Sequence, residues 1–309
     1  SIFVFGISGV DLFFALSGFI MVHTTRNSPP SWRSLLHFLE RRAARIYPLY
    51  WIYTSVILVT AVLLPQAIQR PELEQISVMK SLLLVPQAHQ PILAVGWTLI
   101  FEMYFYLVFA FMLLAPRRFL PHLLCLWLAA VIASSASGNN PFVNVLTSPL
   151  TAEFILGCAA GLAANNYKRS GGAAALVGLL NLAAGVFLQY FTAGPVEPSG
   201  WLRVLLFGIP SVLLVYGMGS RDYAGAPKLL PRFLSSVGDC SYSIYLSHFL
   251  IISALARAGA WISAKLPSTA FGPVDNWCYL TAALLLSLSF GAASWHLLER
   301  PLLAVFRRH

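Results

Sequence analysis

The stretch Trp97 to Ala115, WTLIFEMYFYLVFAFMLLA, holds a single charged residue, Glu102. Wound as an α-helix at 1.5 Å per residue it is about 28 Å long, close to the ~30 Å hydrocarbon thickness of a bilayer. Its apolar residues run continuously, whereas a strand of a membrane barrel would alternate. Lipid offers the backbone no hydrogen bonds, so such a segment crosses a membrane only as a helix.

Equivalent runs recur along the chain at 2–22, 46–64, 119–136, 149–165, 173–192, 202–218, 241–259 and 277–298. Hydrophobic residues make up 58% of the sequence and charged ones 10%, against about 25% charged in a typical soluble domain. The fold class that follows is an all-α polytopic transmembrane bundle of about nine spans. Residues 32–45 read as a basic amphipathic helix lying on the membrane, and 65–96 as the longest outer loop, whose apolar stretch 81–86 is too short to span. No soluble domain is visible, so residues 1–309 read as one membrane-embedded domain. Gly157 and Gly161 form a GxxxG motif, and 173–185 are rich in Ala and Gly, both signs of close helix packing.

The net charge of +9 excludes a nucleic-acid reading once its placement is considered, because the basic residues sit in short loops between spans. One set of alternate loops holds Arg26, Arg33, Arg41, Arg42, Arg45, Arg117, Arg118, Lys168, Arg169, Arg221, Lys228, Arg232, Arg300, Arg307 and Arg308. Arg70, Lys80 and Lys265 lie in the opposite loops, with Arg203 and Arg257 near that face. The positive-inside rule then places the first set, and the C-terminus, in the cytoplasm. With nine spans the N-terminus falls outside. The chain opens with Ser1, shows no signal peptide, and reads as lacking one upstream helix. Of the four cysteines, Cys125 and Cys158 lie within apolar runs, and Cys240 and Cys278 start consecutive spans on opposite faces. Neither a disulfide framework nor metal-ligand spacing is present, and no metal is expected.

Ionisable groups within a span are costly, and so are functional candidates. Asp11 lies about 13 Å into its span, Glu102 one to two turns below the outer face, and His248 near the middle of its helix. Ser241, Tyr245 and His248 share a helix face. For each of these three a structural pairing or core role competes with a catalytic one. Arg41, Arg42 and Arg45 fall within about one turn, just before Tyr47-Pro48. Guanidinium forks on one face suit phosphate oxygens; the competing reading is an anchor for lipid headgroups. Glu153, near an outer helix end, suits the helix dipole. Asp239 reads as an N-cap, Glu299-Arg300 as a local ion pair, and the remaining histidines as interfacial.

Several stretches taken together resemble the acyltransferase-3 family of membrane acyltransferases. They are Gly9-Val10-Asp11-Leu12-Phe13-Phe14-Ala15-Leu16-Ser17-Gly18-Phe19, Arg41-Arg42-Ala43-Ala44-Arg45-Ile46-Tyr47-Pro48, and Trp97-Thr98-Leu99 through Glu102 to Leu107. Ser241-Tyr242-Ser243-Ile244-Tyr245-Leu246-Ser247-His248 and Glu299-Arg300-Pro301 follow near the end. Their order and spacing cover nearly the whole chain, and the wording around Trp97 and Glu102 resembles the branch that decorates bacterial exopolysaccharides. The resemblance implies ten helices, a bacterial inner-membrane location, and transfer of an acyl group, usually acetyl from acetyl-CoA, to a sugar hydroxyl of a glycan acceptor. It implies that Arg42 and Arg45, with Arg41 beside them, hold CoA phosphates, and it lands two acid motifs on Asp11 and Glu102. The family's first helix carries a His regarded as the catalytic base, and no such helix precedes Asp11 here. His248 belongs to a different motif. Two other functions stay open on the residues themselves: a transporter or flippase for a polar lipid-linked substrate, and a catalytically inactive membrane subunit.

Overall fold

The computed structural model describes residues 3–63, 76–134, 140–166, 171–192, 198–227, 231–263 and 273–306. Of the charged residues used for orientation, Arg70, Lys168, Arg169, Lys228, Lys265, Arg307 and Arg308 lie outside the described residues. Every long element within them is helical: α1 (Phe3–Thr24), α2 (Trp32–Leu63), α3 (Gly96–Met112), α4 (Leu120–Ala133), α5 (Leu150–Asn166) and α6 (Gly172–Thr192). α7 joins Gly200–Arg203, a π-helical turn at Val204–Gly208, and Ile209–Tyr223. α8 is Ser241–Ser263, and α9 joins Pro273–Ser294, a second π turn at Trp295–Glu299, and Arg300–Phe306. Each of the nine apolar runs falls on one of these helices. Six helices among the described residues are long and apolar enough to cross a membrane, and Ser8–Thr24 and Gly96–Met112 are shorter apolar helices.

The polypeptide divides into two units. The first comprises Ser1–Glu40 and Thr98–Lys228, the second Arg41–Trp97 and Leu229–His309. In the first, α1 and α5 run side by side with their backbones nearly touching. A Cβ on Gly157 would come within 2.1 Å of the Ala15 carbonyl oxygen, and one on Gly18 within 2.1 Å of the Phe154 carbonyl oxygen. The GxxxG glycines therefore serve the close packing expected of them. The Ala/Gly-rich α6 packs on α7 in the same manner, through Gly178 against Pro210 and Leu214, with Gly171 just before the helix against Gly217. Aromatic rings fill the rest of this core. Phe105 stacks on Phe154 at 4.2 Å and on Trp127 at 5.3 Å.

In the second unit α8 and α9 pack together, with Gly291 admitting Ile244. Two readings change here. The basic stretch 32–45 is not a separate surface helix: α2 runs unbroken from Trp32 to Leu63 with Pro48 inside it. The described part of the 65–96 loop is not a free outer loop either. Tyr47, Tyr50 and Trp51 donate hydrogen bonds to the carbonyls of Leu83, Ser81 and Leu82 at 3.0, 2.8 and 2.9 Å. These three side chains stand on the turns of α2 next to Arg45, not at its far end, Leu63. The segment around 81–83 has thus folded back along α2. The positive φ of Leu84 (54°) marks the bend. Gly96, which opens α3, also packs on Tyr50, about 20 Å from the Leu63 end of α2.

Candidate active site

In the first unit, α3 sets Glu102 and Tyr106 on one face by their four-residue spacing. Glu102 is buried, and its Oε1 accepts hydrogen bonds from Ser17 Oγ of α1 at 3.1 Å and from the Tyr106 hydroxyl. Phe38 packs edge-on against the Tyr106 ring at 6.0 Å and steadies the phenol. Hydrogen bonds to a carboxylate are stronger than neutral ones. One oxygen of Glu102 is therefore pinned, which suits the carboxyl to orient a base or a hydroxyl.

Asp11 lies about 9 Å up α1 from Ser17 and is fully buried. Arg203 grips it with two parallel hydrogen bonds, Nε to Oδ1 at 2.9 Å and a terminal nitrogen to Oδ2 at 3.1 Å. Sequence reasoning misses this partner, because it counts Arg203 toward the outer face. The available signal is one of sign: Arg203 is a basic residue at the start of an apolar run, and Asp11 an acid within another. Glu153 lies in the first turn of α5, as its reading as a helix-end acid expects, but not on a free helix end. It is fully buried, beside both Asp11 and Arg203.

In the second unit, Arg41 and Arg45 are exposed and Arg42 half-buried on α2. Arg45 interacts electrostatically with Glu299, which the π turn of α9 carries inward and which accepts a 2.6 Å hydrogen bond from Ser243 Oγ. One residue beyond Arg45, the Ile46 carbonyl accepts from Tyr242 of α8 at 2.8 Å. Glu299 thus does not form the local pair with Arg300, which instead lies over the Trp295 ring. The role of Glu299 escapes a sequence reading because a π turn shifts side chains off the 3.6-residue period. His248 is half-buried, with Nδ1 2.6 Å from the Tyr245 carbonyl. A carbonyl only accepts, so Nδ1 carries the hydrogen of this contact, and in the neutral ring Nε2 keeps the lone pair. Tyr53 and Ser294 add a buried hydroxyl pair at 2.8 Å.

Buried acids in apolar helices, and an arginine beside a buried glutamate, fit acyl transfer and the transport of a polar lipid-linked substrate alike. Comparison with known proteins separates them: residues 1–296 match the acyltransferase domain of the acyltransferase-3 family. The chain belongs to that family. It is an acyltransferase and, with its apolar helices, a multi-pass membrane protein. Among curated proteins it is similar to the exopolysaccharide production protein ExoZ of Rhizobium meliloti (strain 1021). The two are 35% identical over 325 aligned positions, covering 97% of this chain and 90% of ExoZ. No solved structure matches. The acyltransferase-3 motifs quoted from the sequence thus fall on Asp11 and Glu102 in the first unit and on Arg42 and Arg45 in the second.

Proposed function

We propose that this acyltransferase moves an acetyl group from acetyl-CoA to a hydroxyl of an exopolysaccharide or related cell-surface glycan. The similarity to ExoZ across nearly the whole chain carries this reading, because that relative is an exopolysaccharide production protein. Residues 1–309 act as one membrane domain in a bacterial inner membrane, with the C-terminus in the cytoplasm, where acetyl-CoA is made. The bias of basic residues toward one set of loops supports that orientation.

Arg42 and Arg45, with Arg41 on the same turn, hold the CoA phosphates, and Glu299 steadies Arg45 from behind. The hydroxyl oxygen of the acceptor attacks the thioester carbonyl carbon, the new C–O bond forms, the C–S bond breaks, and the proton of the hydroxyl passes to the departing thiolate. A base is needed to carry that proton. Glu102, pinned by Ser17 and Tyr106, orients the reacting groups; Asp11 and the Nε2 of His248 are the remaining catalytic candidates. A site between helices excludes water and favours transfer over hydrolysis.

Proteoliposomes loaded with radiolabelled acetyl-CoA and supplied with exopolysaccharide oligosaccharides test the reading. Base-labile label on the glycan is the expected result. Label that stays on acetyl-CoA, with transfer only from a different acyl-CoA, would remove acetyl as the group moved. A glycan that crosses the membrane without gaining label would favour the flippase.

A further inference from the structure

The contacts between α1 and α5 fix a register. Gly157 faces the Ala15 backbone, and Gly161, one turn on, faces the Phe19 backbone one turn on from Ala15. One turn earlier on both helices, the same stripes carry Asp11 and Glu153, so the two acids are brought face to face. Arg203, from the start of α7, completes the group, and Asp11 holds it through both carboxylate oxygens. Glu153 is differently placed. It is fully buried, and neither of its carboxyl oxygens has a hydrogen-bond partner among the described residues. It packs on Gly208 of the π turn so closely that a Cβ there would come within 2.7 Å of its Oε1. Among the described residues the charged groups acting on Glu153 are Asp11 from α1 and Arg203 from α7, while α4 and α6 carry no Asp, Glu, Lys or Arg.

Asp11 and Arg203 neutralise each other. A second carboxylate beside them would be a buried charge with no counterion and no donor, a state that buried acids avoid by taking up a proton. We propose that Glu153 is a proton-binding site: it holds a proton from solvent on one carboxyl oxygen and offers that O–H to Asp11, which accepts while staying paired to Arg203. Loss of the proton would set two carboxylates competing for one guanidinium, so the occupancy of this site governs how α1, α5 and α7 are tied together. The proposal does not depend on which acyl group or glycan the enzyme uses.

Infrared spectroscopy of the purified protein in lipid nanodiscs reads this directly. The parent should show the carbonyl stretch of an undissociated carboxylic acid, and the band should move when the protein is made with carboxyl-¹³C glutamate. Glu153→Gln, the uncharged isostere of the protonated acid, should fold and lose that band. No acid band in the parent, a band indifferent to labelled glutamate, a band that survives in Glu153→Gln, or a Glu153→Gln protein that does not fold would each overturn the assignment.

Discussion

Removing the charge of Asp11 should cost little while Glu153 is present and much when it is not. In Asp11→Asn the buried Arg203 loses both of its carboxylate hydrogen bonds, those at 2.9 and 3.1 Å. Glu153, standing opposite, can then release its proton and become the counterion. The net cost is that of exchanging a good charged hydrogen bond for a poorer one, about 1–2 kcal/mol. Glu153→Gln alone preserves the ion pair and replaces one neutral group with another, so it should cost under about 1 kcal/mol. In the double variant no carboxylate remains beside the guanidinium, and a buried charge stripped of its partner costs about 3–5 kcal/mol. The two substitutions should therefore be non-additive by roughly 1–2 kcal/mol. The assay is unfolding in mixed micelles by titration with SDS, followed by tryptophan fluorescence, for the parent and the three variants. If Asp11→Asn costs the same whether or not Glu153→Gln is also present, the reasoning is refuted, since Glu153 then does not take over Arg203.

In the donor site, Arg42→Lys and Arg45→Lys should each weaken acetyl-CoA binding about tenfold, near 1.4 kcal/mol, because Lys cannot reproduce a bidentate contact. Arg33→Lys, more than two turns away, should change little. Calorimetric titration decides between this and a lipid anchor, for which all three would be nearly silent. Glu102→Gln should leave membrane insertion intact and slow transfer roughly ten- to a hundredfold, the worth of about 1.5–3 kcal/mol of charged hydrogen bonding. Transfer at the parent rate would reduce Glu102 to a packing residue. Single cysteines introduced at Asn27 and Ala224, in a background with Cys125 and Cys278 changed to Ser, should resist impermeant thiol reagents added outside intact cells. Ala224 is preferred to its neighbour Gly225, whose φ of +68° would strain any side chain. Labelling of both from outside would reverse the topology.

The helices are legible in the sequence because their signal is local: an uninterrupted apolar run has one outcome in lipid. What misleads is composition read as a boundary. The switch from basic to apolar residues near Ile46 looks like the end of one helix and the start of another, yet α2 passes straight through it. Pro48 removes one backbone donor but does not break the helix. The folded-back segment is invisible for a different reason. It is held by Tyr47, Tyr50 and Trp51, whose polar tips reach carbonyls some thirty residues ahead, and aromatic residues near a span end read equally well as an interfacial belt. The acids that stand out as intramembrane ionisable groups are engaged in the structure, but their partners come from elsewhere in the chain. Neither the Ser17 bond to Glu102 nor the Arg203 bond to Asp11 has a local sequence mark.

The pairing of Asp11 with Glu153 is the instructive case, because its determinants are present in the sequence but divided between two helices. Asp11, Ala15 and Phe19 recur every four residues on α1, as Glu153, Gly157 and Gly161 do on α5. Counting each stripe alone yields an acid above a small or apolar ridge. The glycines are what join the two stripes. At Gly157 the opposite backbone comes so close that a Cβ would collide with it, and at Gly161 a Cβ would be tight against it; two such contacts a turn apart fix the register of the helices. Once they are locked, the acids one turn above must meet, and that meeting is made tolerable by Arg203 and, on our proposal, a proton. Counting from the nearest loop assigns Glu153 to a helix end, and it does lie in the first turn of α5, but the count is silent on what that end packs against. The partner of Glu153 is set by the glycine on its own helix, one turn below.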